Sequence, residues 1–216
     1  MLNIIQDNYF NLLQRTSINY TNSILEKNPK WKILDIGCGY RANKNATVIA
    51  DIQDLAYYYQ NKKFIKINEK KLPFKDKEFD FVIASHVIEH VEDFEFFIKE
   101  LERISSKGYI ELPSRLGDNL VFENKNDHIW WFLYDDINNK LLVSKRNQII
   151  EPFIAVSTAK IFEKVFRESF VIEIAWEKKI DYQVDNMIKQ DDIDKVSFFK
   201  LIKKYLSKKF RMLYRR

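Results

Sequence analysis

The sequence predicts an α/β fold, doubly wound about a mostly parallel sheet with helices on both faces. Three observations carry this expectation. Short runs rich in Ile, Val and Phe recur at 33–36, 47–52, 64–67, 79–84 and 108–112, each the length of a strand buried on both faces. Between the last two lies a helical stripe of Phe94, Phe96, Phe97, Ile98, Leu101 and Ile104, with Asp93 as its N-cap. Two of the four glycines, Gly37 and Gly39, stand two residues apart where the first run ends, the place at which open α/β sheets bind ligands.

The remaining elements follow in chain order. Residues 2–27 place Ile4, Ile5, Phe10, Leu12, Leu13, Ile18 and Ile24 in a pattern compatible with one amphipathic helix. Asn28-Pro29 ends it, because a residue before proline is pushed out of the helical region. Strands alternating with helices imply right-handed crossovers. After Pro113 the pattern is irregular to about residue 135, through the aromatic segment Asp127-His128-Ile129-Trp130-Trp131-Phe132. A helix near Thr158–Glu168 and a late strand at Phe170–Trp176 complete a domain over 1–194.

Composition narrows the function classes. Of 216 residues, 46% are hydrophobic, enough for a packed core. The longest apolar runs fall far short of the ~20 residues that span a bilayer, and residues 1–7 lack the basic start of a signal peptide. A single cysteine, Cys38, excludes an intramolecular disulfide and fits a reducing cytoplasm. The net charge is +5 overall but +9 over residues 195–216, which leaves −4 for the rest. The basic character thus belongs to the tail, and nucleic acid is disfavoured as a partner of the domain.

The carboxylates sharpen the glycine signal. Asp35 precedes the pair, and Asp51 ends the second strand, where it can accept hydrogen bonds from both hydroxyls of a ribose. Together with Ile33-Leu34-Asp35-Ile36-Gly37-Cys38-Gly39, Val48-Ile49-Ala50-Asp51 and the series Leu72-Pro73-Phe74 through Phe79-Asp80-Phe81-Val82 to Glu89-His90-Val91, the chain resembles the class I S-adenosylmethionine-dependent methyltransferases, in particular the type 11 branch. The resemblance implies a Rossmann-like fold and S-adenosylmethionine as cofactor. It places Gly37 and Gly39 at the methionine part, Asp51 at the ribose, Asn68 near the adenine, and Ser85 and His86 beside the sulfonium, with Asp35, Cys38, Ile52 and Glu69 also at the cofactor.

Two departures bear on the cofactor. Arg41 replaces the third glycine of the usual series, to crowd the loop or turn toward solvent. Asp35 and Asp51 are only 16 residues apart, so the first crossover helix is expected to shrink to a turn. A pyrophosphate needs a helix N-terminus there, and S-adenosylmethionine carries no phosphate. The short crossover therefore favours methyl transfer over hydride transfer.

His86, His90 and His128 are candidates for a general base that deprotonates a hydroxyl or amine acceptor. The alternative has the Glu89-His90 pair bracing the next helix. His86-Val87-Ile88-Glu89-His90 also matches an inverted zinc-peptidase pattern, yet that pattern needs His86 inside a helix, and the preceding run reads as a strand. No metal is expected from it. Trp130 and Trp131 either line an acceptor pocket within the segment 114–150 or belong to the core. In the tail, Phe198, Phe199, Leu201, Ile202, Tyr205, Leu206, Phe210 and Leu213 share one helical side, which either docks on the domain or lies on an anionic membrane surface. The expected acceptor is a small molecule, with the loosely matching Gly108–Ser114 and His128 resembling surface-polysaccharide methyltransferases. RNA or protein methylation and a non-catalytic cofactor-binding subunit are the alternatives.

Overall fold

A computed structural model describes residues 12–184 and 195–214. Its central sheet has seven strands: β1 (Leu12–Arg15), β2 (Ile33–Ile36), β3 (Val48–Asp51), β4 (Lys63–Lys66), β5 (Phe81–Ser85), β6 (Lys107–Pro113) and, late in the chain, β9 (Val171–Glu177). Their order across the sheet is β1-β9-β6-β5-β2-β3-β4. Strands β2 to β6 are parallel, and β9 runs antiparallel between β6 and β1. The chain moves one way from β2 to β4, then returns to β5 and moves the other way. The switch point lies between the carboxyl ends of β2 and β5, where the crevice of a doubly wound sheet opens.

Alternation along the strands divides two cores. Ile33, Phe81, Ile83 and Tyr109 face Leu25 of α1 (Ile18–Lys27) on one side. Leu34, Ile36, Val82, Ala84 and Ile110 face the other, against α2 (Phe94–Ile104). That second face is also covered by a three-stranded sheet of β7 (Trp130–Asp135), β8 (Lys140–Lys145) and β10 (Tyr182–Val184), through Phe132, Tyr134, Leu141 and Val143. The main-sheet strands at 33–36, 48–51, 63–66, 81–85 and 107–113 and the Asp93-capped helix agree with the sequence reading. Asp93 accepts a hydrogen bond from the Phe96 amide at 3.1 Å.

Three expectations need correction. The N-terminal segment is not one helix: Leu12–Arg15 is an edge strand paired with β9, with Leu13 buried opposite Trp176, and α1 starts only after the Ser17 cap. Residues 1–11, where Ile4, Ile5 and Phe10 were expected to be helical, lie outside the described residues. The stretch after Pro113 is ordered as α3 (Arg115–Leu120), α4 (Asn124–Asp127) and the β7–β8 hairpin. The expected helix near 158–168 divides into α5 (Val156–Val165) and α6 (Arg167–Phe170).

The basic tail forms α7 (Phe198–Leu213), entered through a bridge between Val196 and Ile150 and a stacked pair of Phe198 and Phe153. Beyond Phe198 its apolar stripe is largely uncovered: Phe199, Tyr205, Phe210 and Leu213 are exposed, and none of the helix's described residues is buried. Among the described residues no helix is long and apolar enough to cross a membrane.

Candidate functional site

The site starts where β2 ends. Gly37 (φ +69°) and Gly39 (φ +52°) turn the chain through the left-handed region that side chains disfavour. The Gly37 amide donates to the Ala50 carbonyl at 2.7 Å, and the Gly39 amide donates to Asp51 Oδ2 at 2.9 Å. No helix follows. Residues 37–47 are instead fastened from behind: Asn43 N donates to Asp35 Oδ2 (2.6 Å), Tyr59 OH to the Gly39 carbonyl (2.6 Å), and Lys62 Nζ to the carbonyls of Asn43, Lys44 and Ala46. Arg41 is exposed, so the missing third glycine is accommodated by turning toward solvent.

A cavity of about 820 Å³ opens over this loop, within the range of small-molecule sites. Of the residues expected at the cofactor, Gly37, Gly39, Asp51, Ile52, Asn68, Glu69 and His86 line it. Asp35, Cys38 and Ser85 do not. The cavity fits the expected cofactor on the structure's own terms. A Cβ on Gly39 would meet nothing within 4 Å, so that backbone is open to approach, and a carboxylate stands beside it. The helix-free crossover supplies no N-terminus for a pyrophosphate.

Asp35 is a brace. It is buried, one oxygen holds Asn43, and Oδ1 has no partner among the described residues. Burial pushes its carboxyl up to about 7, against the Asn43 bond and the Lys62 charge. The folded state therefore keeps a proton between roughly pH 4 and 7 that the unfolded chain loses, and stability falls as pH rises through that window. In Asp35→Asn this slope should vanish, so the variant gains on the parent by a few kcal/mol, order of magnitude, between pH 4.5 and 7.5. Urea unfolding at the two pH values checks this, and an unchanged difference would refute it. Cys38 is half-buried, 3.7 Å from Tyr59 OH, and burial beside Asp35 pushes its thiol up to about 12, which fits packing rather than nucleophilic chemistry.

At the other side of the switch point, His86 leaves β5 with φ +54°, an unusual conformation for a side-chain-bearing residue. Its Nδ1 lies 3.2 Å from Glu89 Oε1 and its Nε2 3.1 Å from Glu111 Oε1. Burial disfavours the charge, but the two carboxylates outweigh it and raise the imidazole to about 10. A cation with both nitrogens donating has no lone pair to take a proton, so His86 does not fit the general-base role. Burial opposes the charge of Glu111 as well, yet His86 and the Tyr109 hydroxyl hold it down at about 2. Arg167 joins Glu111 to Glu173 at 2.6 and 2.7 Å.

His90 and His128 differ from His86. His90 Nδ1 is 3.0 Å from the Asp127 carbonyl, which can only accept, so Nδ1 carries a hydrogen and Nε2 is the ring nitrogen left without a partner among the described residues. His128 Nδ1 is bonded to Asp118 Oδ1, with the same consequence. Asp118 is fully buried, and its other oxygen takes Trp131 Nε1 and Arg146 Nε, each at 2.6 Å. The two rings meet edge to face at 4.5 Å. A second cavity of about 300 Å³ is lined by His86, His90, His128, Asn124, Lys160 and Glu163 among others, so His86 and His90 border both cavities.

Trp130 and Trp131 line neither cavity, against the substrate-binding expectation. Trp131 is buried with its N–H on Asp118, and Trp130 packs on Phe94 and donates to the Val91 carbonyl. Both lie on β7, whose fold onto the main sheet a segment read as irregular could not announce. Sequence reasoning also missed Glu111, Arg167, Asp118 and Arg146. Glu111 had a signal, a carboxylate inside an apolar strand, which is rare without a partner. The others carried none.

Part of the chain is similar to known proteins. Residues 34–110 match the family described as a methyltransferase domain. The ubiquinone biosynthesis O-methyltransferase of Rickettsia bellii (strain OSU 85-389) is 33% identical over 126 residues, covering 48% of this chain and 52% of that protein. The chain thus spans about half the length of the curated relatives it matches. Among solved structures, an S-adenosylmethionine-dependent methyltransferase from Mesorhizobium loti superposes over 68% of this chain and 90% of its own, at 11% identity and a TM-score of 0.41. A protein from Pyrococcus horikoshii OT3 superposes over 76% and 93%, at 19% identity and a TM-score of 0.40. Scores of that size add nothing to the functional case. Through residues 34–110, which hold the glycine loop, Asp51 and the His86–His90 turn, the chain is similar to the methyltransferase-domain family.

Proposed function

We propose that the chain is an S-adenosylmethionine-dependent methyltransferase that acts on an oxygen of a small molecule. The observation that carries this is the convergence of Gly37, Gly39, Asp51 and His90 on one cavity at the switch point, with His90 shared by a second cavity. S-adenosylmethionine, when bound, supplies an electrophilic methyl group. The glycine backbone admits its close approach, and Asp51 accepts hydrogen bonds from its ribose hydroxyls. Val87, Phe96 and Phe97 give the cavity apolar walls that exclude water. An acceptor enters from the smaller cavity, and His90 takes the proton that its hydroxyl loses. Oxygen is favoured over nitrogen by the O-methyltransferase relative, and a surface-polysaccharide precursor as acceptor rests on the sequence resemblance alone.

Calorimetric titration with S-adenosylhomocysteine and, separately, with NADH tests the reading. S-adenosylhomocysteine should bind, and Asp51→Asn should weaken it about tenfold or more, the worth of hydrogen bonds to a charged acceptor. Binding of NADH in its place, or an Asp51→Asn variant with unaltered affinity, would count against it.

A further inference from the structure

We infer that Glu89, His90 and His128 form a binding site for one divalent transition-metal ion, on the acceptor side of the cofactor cavity. One ligand atom from each lies within 4.8 Å of the others. Two imidazoles and one carboxylate are the donor set of open zinc sites and of related first-row metals, and a poor match for magnesium or calcium, which take oxygen. This is not the inverted-peptidase pattern of the sequence. His86 is consumed by its two carboxylates, and its place is taken by His128, which the chain brings from 42 residues further along.

Three features make the cluster a built site. Each histidine has its Nδ1 engaged by an acceptor, the Asp127 carbonyl for His90 and the Asp118 carboxylate for His128, which leaves both Nε2 atoms free to ligate. Asp118 is itself locked by Arg146 and Trp131, so the orientation of His128 is held from two shells away. Glu89 is fully buried, yet its Oε2 has no hydrogen-bond partner among the described residues, an expensive arrangement that a cation would relieve. At ordinary zinc bond lengths tetrahedral ligands stand about 3.4 Å apart, so closing the site takes shifts on the order of 1 Å. The exposed His90 ring can supply them.

The ion's role rests on the methyl-transfer reading. Three protein ligands leave at least one position open, beside the smaller cavity that His90 and His128 line. An acceptor hydroxyl bound there loses its proton to solvent more readily, because the metal stabilises the oxyanion. The oxygen lone pair then forms the O–CH3 bond as the S–CH3 bond breaks and its electrons return to sulfur. With the ion in place, His90 acts as a ligand and the metal replaces its imidazole in promoting deprotonation.

The test uses the full chain, stripped by chelator dialysis and titrated with zinc and with cobalt(II), whose visible absorption reports coordination by nitrogen. One equivalent should bind with micromolar or tighter affinity. Cys38→Ser should retain the cobalt bands, and His128→Ala should weaken binding about 100-fold. His90→Gln, a change at an exposed ring, should do the same if His128→Ala fails to fold. No metal retained at about 10 µM, bands lost in Cys38→Ser, or parental affinity in the histidine variants would overturn the inference. S-adenosylhomocysteine titration of the same samples separates the two readings: binding of that ligand without metal sinks only the ion, and metal without that ligand sinks only methyl transfer.

Discussion

Gly37→Ala is expected to cost about 2–5 kcal/mol of stability and to abolish measurable S-adenosylhomocysteine binding, whereas Gly39→Ala should cost about 1–2 kcal/mol. Both residues have positive φ, at +69° and +52°, so both variants pay the left-handed strain of a side chain. The difference lies in what the new methyl meets. At Gly37 an ideal Cβ falls 2.5 Å from Val87 Cγ2 and 3.1 Å from Cγ1, while at Gly39 it meets nothing within 4 Å. Val87 is β-branched, follows the strained His86 and lines the cofactor cavity, so it cannot yield without moving that wall. Urea unfolding followed by circular dichroism measures the first quantity and calorimetry the second. Equal costs at the two positions would show that the Val87 contact is unimportant.

Asp118→Ala is expected to destabilise by about 3–5 kcal/mol, the cost of breaking a buried ion pair from one side. Arg146 is 6% exposed and would keep its charge without a carboxylate, while Trp131 and His128 would each lose an acceptor. Against a total stability of about 5–15 kcal/mol, the loss is large enough to populate the unfolded chain in mild denaturant. Asp118→Asn, which keeps an acceptor oxygen, should lose less. Removing the carboxylate of Asp136 from its pair with Arg15, exposed at 59% and 46%, should leave the midpoint nearly unchanged. Should Asp118→Ala behave like the surface variant, the buried cluster would be shown to carry little of the stability.

The central sheet was legible because its strands are buried on both faces, and double burial writes itself as runs of Ile, Val and Phe whatever lies above them. The same holds for α2, whose Asp93 cap and apolar stripe are local features. β1 was not legible. Leu12 and Leu13 are both apolar, so nothing marks Leu13 alone as inward-facing, and the partner that makes it a strand is β9, more than 150 residues away. The β7–β8 hairpin was hidden for a related reason. Its tryptophans advertise bulk, and only tertiary partners, α2 for Trp130 and Asp118 of α3 for Trp131, decide that they brace rather than bind.

At the site, glycine spacing and the carboxylate at the end of β3 identified Gly37, Gly39 and Asp51 in the cavity wall, because a tight turn at a strand end demands particular residues at particular offsets, while Ile52, Asn68, Glu69 and His86 came from the family resemblance. Asp35 and Cys38 belonged to that stretch yet face away, a distinction the spacing does not encode. The histidines show the limit more sharply. All three were candidates for one role in the chain, and proton-transfer character depends on the partners of each ring nitrogen. Glu111 on β6 makes His86 a cation, while Asp118 on α3 and the Asp127 carbonyl leave His128 and His90 with a free nitrogen. What the sequence alone determined was the doubly wound sheet and the helix-free crossover at its switch point, because these follow from local burial, chain length and backbone freedom. Which side chains carry charge, brace the fold or offer a lone pair there was decided only by tertiary structure, because their partners come from strands and helices distant in the chain.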